Sequence, residues 1–172
     1  MPALIRGFAG KVPRLGGGVF VADNATIIGD VEIGEDSSVW YGCVLRGDVG
    51  AIRIGARTNI QDLSMVHMTT LLSNSEIADD VTVGHGAILH GARVESGVLV
   101  GMGAILLDNC VIGEGALVAA GSLVPIGMQV PPRTLVRGSP ARVIRELNED
   151  EVRRGRDSAT HYVELAKFHR QG

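Results

Sequence analysis

Aliphatic residues return at every sixth position along most of this chain. They stand at Val21, Ile27, Ile33, Val39 and Leu45, then at Ile54, Ile60 and Val66, and then at Ile77, Val83 and Leu89. The series closes with Val94, Val100, Leu106, Ile112, Val118, Val124 and Val130. Three interruptions break the count: a three-residue insertion before Ile54, a five-residue insertion before Ile77 and a one-residue deletion before Val94. A period of six fits neither the 3.6 of a helix nor the 2 of a lone strand. It fits a short strand plus a turn, with one aliphatic side chain pointing inward per unit. Small residues two positions earlier, such as Ala25, Ser37, Cys43, Ser64, Ala87, Ala104, Cys110, Ala116 and Ser122, suit a tight corner. Such hexads predict an all-β solenoid of parallel strands, eighteen residues to a triangular coil, with coils about 4.8 Å apart.

The pattern stops after Val130 at a Pro-Pro pair. Beyond it, Asn148 followed by Glu151 forms a capping-box pattern, and Val152, Ala159, Tyr162, Val163 and Ala166 lie near one helical stripe. The expected organisation is a β-helix over residues 1–134 and a C-terminal helical segment, 135–172, packed on it.

Composition sharpens this picture. The chain is 45% hydrophobic but only 3% aromatic, with 24 glycines, so its core is built from stacked Val, Ile, Leu and Ala. The net charge of −3 is spread without a basic block, which argues against nucleic acid or an anionic membrane surface as partner. The opening "MPALIRGFAG" lacks the charged and apolar regions of a signal peptide, and no run approaches about 18 apolar residues. A cytoplasmic location is expected.

The hexads also act as a ruler for the histidines. His67 follows inward Val66 and His90 follows inward Leu89, so both take the fourth position of a hexad. Once the five-residue insertion is removed they stand one full coil apart, on the same face. Arg46 follows Leu45 in the same way, giving one column of Arg46, His67 and His90. Two imidazoles at this spacing reach a common ion, but a zinc site ordinarily takes three protein ligands. His85 lies on the neighbouring side of the triangle, facing away from the column. A second chain can supply it, and three-fold packing of triangular prisms places one chain's His85 beside the next chain's His67 and His90. Any one of these histidines has a plainer reading, as a hydrogen-bonded surface or interface residue. His161 and His169 bear no relation to the ruler and are expected to be solvated.

With these residues the chain resembles the gamma-class carbonic anhydrases over nearly its whole length. The specific motifs are "RGD" at Arg46–Asp48, "NIQD" at Asn59–Asp62, and His67 followed by "GHGAILHG". The resemblance implies a left-handed β-helix and a homotrimer with metal sites at the subunit interfaces. It implies His67, His85 and His90 as ligands of zinc, with iron or cobalt as alternatives, and metal-assisted reversible hydration of CO2 to bicarbonate. Arg46 and Asp48 correspond to interface and bicarbonate-orienting residues, Gln61 to the residue that positions the reacting water, and Tyr162 to an active-site tyrosine. Asn59 and Asp62 match supporting polar positions. An Arg46–Asp48 interface salt bridge and a helix-anchoring Tyr162 are compatible alternatives.

Two departures from the family pattern bear on rate. Val49 and Thr70 stand where the fastest members carry acidic proton shuttles, so slow turnover is expected. A CoA-dependent acyltransferase or thioesterase on the same fold is the competing enzyme reading, and a non-catalytic metal-binding scaffold is a third. Cys43 and Cys110 fall on different sides of the prism, about 15 Å apart along its axis, so no bridge joins them and both read as buried corner residues. Trp40 and Tyr41 are expected to cover a prism face or a subunit contact.

Overall fold

The structure is a computed structural model and describes residues 1–170. It is a left-handed parallel β-helix closed by a single C-terminal helix, Glu149–His169. The inward positions of the hexads from Ile27 to Val130 are all buried, and Val21 is partly buried against the same core. Each buried Val, Leu or Ile contributes roughly 1.5–3 kcal/mol through removal from water. Ordering the backbone opposes this by about 1–2 kcal/mol per residue, which is why two-residue strands persist only when stacked.

Three faces wrap this core. One stacks Val44–Ile54, Met65–His67, Ile88–His90, Ile105–Leu106 and Leu123–Val124. A second stacks Ser75–Ile77, Arg93–Val94, Val111–Ile112 and Gln129–Val130, and joins the first through the long strand Val44–Ile54. The third runs from Phe20–Val21 through Ser38–Val39, Asn59–Ile60, Thr82–Val83, Leu99–Val100 and Leu117–Val118 to Thr134–Gly138.

The outward positions of the first two faces differ in kind. On the first, Val44, Met65, Ile88, Ile105 and Leu123 stack in register as an aliphatic ladder, with Met65 41% and Ile88 37% exposed. On the second, Arg14, Glu32, Arg53, Glu76 and Arg93 pair in register with alternating charge. Opposite charges facing each other across paired strands are favourable and keep that face wet. The aliphatic ladder has no such solvent-facing chemistry.

The solenoid extends further than the hexads indicate. Leu4–Arg6 and Arg14–Leu15 pair with Thr26–Ile33, adding a partial coil at the start. At the other end, Thr134–Gly138 continues the third face, and Ala141–Glu146 turns back antiparallel to it. The helix then begins with the expected capping box: Asn148 accepts from the Glu151 backbone N–H, and the Glu151 carboxylate accepts from the Asn148 N–H.

The helix lies across the third face. Gly155 permits the approach, because a Cβ there would stand 2.8 Å from the Gly97 carbonyl oxygen. Trp40 is buried beneath the helix, with the Tyr162 ring edge-on at 5.3 Å and Phe20 at 5.1 Å. His169, expected to be solvated, is exposed at its rim but places its ring 5.0 Å from Trp40 and its Nδ1 3.1 Å from the Tyr41 hydroxyl. Aromatic edge contacts of this kind follow no periodicity, so the ruler is blind to them. Among the described residues, no helix is long and apolar enough to cross a membrane.

Candidate metal centre

The strand pair Met65–His67 and Ile88–His90 sets His67 directly beside His90, as the ruler predicts. Their rings meet edge to face with centroids 5.3 Å apart, and His67 Nδ1 lies 3.4 Å from His90 Nε2. The other nitrogen of each ring faces a carboxylate. His67 Nε2 is 3.0 Å from Asp48 Oδ1, and His90 Nδ1 is 3.1 Å from Asp108 Oδ2.

Asp48 in turn is ion-paired with Arg46. Burial opposes its ionisation, but the hydrogen bonds from Arg46 and His67 outweigh that and hold its carboxyl below the ordinary range. Asp108 is handled likewise: burial is outweighed by hydrogen bonds from Ser73, His90 and Thr69, and its carboxyl also stays low. Both groups are therefore carboxylates at neutral pH.

A second group of polar residues forms on the corner between the third face and the aliphatic ladder. His85 Nδ1 is 2.9 Å from Asp62 Oδ2, with both side chains partly exposed. Gln61, buried beside them, donates from Nε2 to Asn59 Oδ1 at 3.1 Å, and Asn59 donates to Thr82 Oγ1 at 3.0 Å. The Thr82 hydroxyl reaches Ser158 Oγ of the helix at 3.2 Å. This chain fixes the Gln61 amide with its oxygen free to accept. Tyr162 stands over the same side on the helix; burial, with a smaller contribution from the Asp62 charge, raises its phenol, so it stays protonated at neutral pH.

One chain thus brings the candidate residues together as two clusters. Arg46, Asp48, His67 and His90 form one, and Asn59, Gln61, Asp62, His85 and Tyr162 the other, with the aliphatic ladder between them. Among the described residues of a single chain, no three His, Cys, Asp or Glu side chains converge to hold a metal. Val49 and Thr70 are both exposed and carry no carboxylate.

Sequence reasoning missed Asp108, Thr69 and Ser73. Corrected for the deletion, the ruler places Leu107 rather than Asp108 above His90. Asp108 sits one residue further, on the corner above Gly91. Gly91 lacks the side chain that would fill this space: a Cβ there would overlap both Ser73 Oγ and Asp108 Oδ1. A glycine directly after His90 was the available signal.

The chain is similar to several known proteins. The family "Bacterial transferase hexapeptide (six repeats)" matches residues 13–47 and 91–125. A carbonic anhydrase of Geobacillus kaustophilus is 48% identical over 97% of this chain and 91% of its own length. The mitochondrial gamma carbonic anhydrase 2 of Arabidopsis thaliana is also 48% identical, over 92% of this chain, and the chain spans 59% of that relative's length. A Bacillus cereus crystal structure, provisionally described as an acetyltransferase, superposes with a TM-score of 0.97 at 43% identity over 99% of both chains. By fold, motif and relatedness, the chain belongs to the gamma carbonic anhydrase family of hexapeptide-repeat proteins.

Proposed function

We propose that the protein is a metal-dependent carbonic anhydrase that interconverts CO2 and bicarbonate at sites shared between subunits of a homotrimer. The single observation that carries this reading is the facing pair His67 Nδ1 and His90 Nε2, 3.4 Å apart, each ring backed by a carboxylate. Two nitrogens bound to one tetrahedral ion at about 2.05 Å are separated by about 3.3 Å. A carboxylate on the far ring nitrogen is the usual partner of a metal-ligating histidine. The donor set therefore fits a divalent ion, with zinc the first choice and iron or cobalt alternatives.

His67 and His90 would hold that ion from one chain, and His85 from its neighbour. The aliphatic ladder lies between the two clusters, so covering it with a second copy brings one chain's His85 corner toward the next chain's His67–His90 column. When bound there, the ion lowers the pKa of water toward neutrality, as is known for carbonic anhydrases.

The chain's own groups supply the rest. The Gln61 oxygen accepts a hydrogen bond from the reacting water and aims it. Arg46, held by Asp48, presents its remaining N–H groups to the bicarbonate anion. Tyr162, an un-ionised phenol over the Gln61 side, offers a neutral donor. Asn59 and Asp62 hold Gln61 and His85 in place. Val49 and Thr70 accept no proton, so proton release passes to buffer and turnover is slow. The two unpaired thiols are in keeping with a reducing, cytoplasmic setting.

The acetyltransferase description of the Bacillus cereus structure favours a second reading, in which one interface histidine acts as general base toward a CoA ester. Metal analysis combined with stopped-flow CO2 hydration separates the two, on anaerobically purified wild type and His90→Ala. Near one ion per chain, with buffer-dependent hydration that disappears in the variant, is the expected result. Bound metal without hydration moves the assignment to an acyl substrate or a scaffold, and metal-free wild type refutes the centre altogether.

A further inference from the structure

We propose that Asp108 is a positioning residue that fixes the tautomer and ring plane of His90 and ties that ligand to the 69–73 loop. The proposal rests on the metal reading above. Asp108 is only 7% exposed, and its partners leave its carboxylate little freedom. Oδ1 accepts from the Ser73 hydroxyl and from the Thr69 N–H at 3.3 Å, while Oδ2 accepts from the Thr69 hydroxyl at 3.1 Å. Three donors thus converge on its two oxygens, and a carboxylate has only lone pairs to offer a further neighbour. At 3.1 Å from Oδ2, His90 Nδ1 must therefore be the donor.

That assignment leaves a lone pair on His90 Nε2, the nitrogen turned toward His67. A ring released from Asp108 would be free to place its proton on Nε2 instead, and that nitrogen would then be unable to ligate. The contact exists because Gly91 is a glycine, as the space beneath Asp108 is the space a Cβ would occupy. Thr69 and Ser73 belong to the five-residue insertion of the hexad pattern. The insertion thus has a use: it delivers two hydroxyls and an N–H that hold the carboxylate against His90.

Asp48 does not duplicate this role. It faces the other histidine and is held by an arginine in place of the loop.

The test uses the full chain stripped of metal, as wild type, Asp108→Asn and Asp108→Ala. Two readouts are taken: cobalt(II) titration followed by its visible ligand-field absorption, and the His90 tautomer from imidazole nitrogen NMR shifts in the metal-free protein. Wild type is expected to carry the His90 proton on Nδ1. Asp108→Ala is expected to mix the tautomers and weaken cobalt binding by about ten- to a hundredfold. Asp108→Asn keeps the shape without the charge, and its expected loss is about tenfold, at the lower end of that range. A folded Asp108→Asn protein with wild-type cobalt affinity and an unchanged His90 tautomer overturns the proposal. Wild type that takes no cobalt yet holds the proton on Nδ1 refutes the metal reading while confirming the Asp108 contact, so the two failures are distinguishable.

Discussion

Gly91→Ala is the most informative stability perturbation, because a matched control exists on the same corner. Gly91 has φ +64° and Gly127 has φ +69°, and both lie on the corner edge that also carries Asn109. At Gly127 a Cβ meets nothing within 4 Å, so Gly127→Ala carries only the penalty of a left-handed backbone, about 1–2 kcal/mol. At Gly91 the same penalty applies, and the methyl also drives Ser73 Oγ and Asp108 Oδ1 back by roughly 1 Å to reach ordinary contact distance. That retreat breaks at least one hydrogen bond to a charged carboxylate, at about 1.5–3 kcal/mol each. Gly91→Ala should therefore cost about 2.5–5 kcal/mol in total, against about 1–2 for the control. Urea unfolding at fixed protein concentration measures both, since an oligomer's midpoint depends on concentration. Equal losses for the two variants would refute the claim that Gly91 makes room for the Asp108 network.

Other consequences are separately measurable. Ile88→Asp puts a charge in the aliphatic ladder and should yield monomers with little bound metal by light scattering and metal analysis; a stable trimer of the variant contradicts that interface. Burial raises Cys43 to about 11 and Cys110 to about 12, so neither thiol should react with Ellman's reagent until the chain unfolds, and fast labelling of either would show the core to be open. Glu151 is lowered from 4.5 to about 2, first by its hydrogen bonds from Arg145 and then by the Asn148 N–H. A depressed carboxyl stabilises above its unfolded value and ceases to do so as pH falls through the folded one. Helical circular dichroism should accordingly decline between about pH 4.5 and 2 in wild type, and Glu151→Gln should lack that step.

The repeat made most of the scaffold legible. One inward aliphatic per hexad gives the coil, and counting insertions gives the pairing of His67 with His90, which the strand register bears out. The capping box at Asn148 and Glu151 was equally plain, because it depends on only two residues at a fixed spacing. Less visible was whatever departs from the period. Ala141–Glu146 pairs antiparallel with a bulge, so its pattern matches no hexad. Asp108 reaches His90 diagonally across a corner, through space that a glycine leaves open. His169 meets Trp40 across 129 positions of sequence, by ring contacts that leave no periodic trace.

The central claim, that each metal site is assembled from two chains, is tested most directly by mixing subunits. His85→Ala lacks one half of every site and His90→Ala lacks the other, so each alone should bind almost no metal. Co-refolded in equal amounts, they form mixed trimers in which one interface joins two intact halves. Random assembly then restores about a quarter of the wild-type metal content. Metal retained in either variant alone, or a mixture no richer than its components, would contradict a shared site.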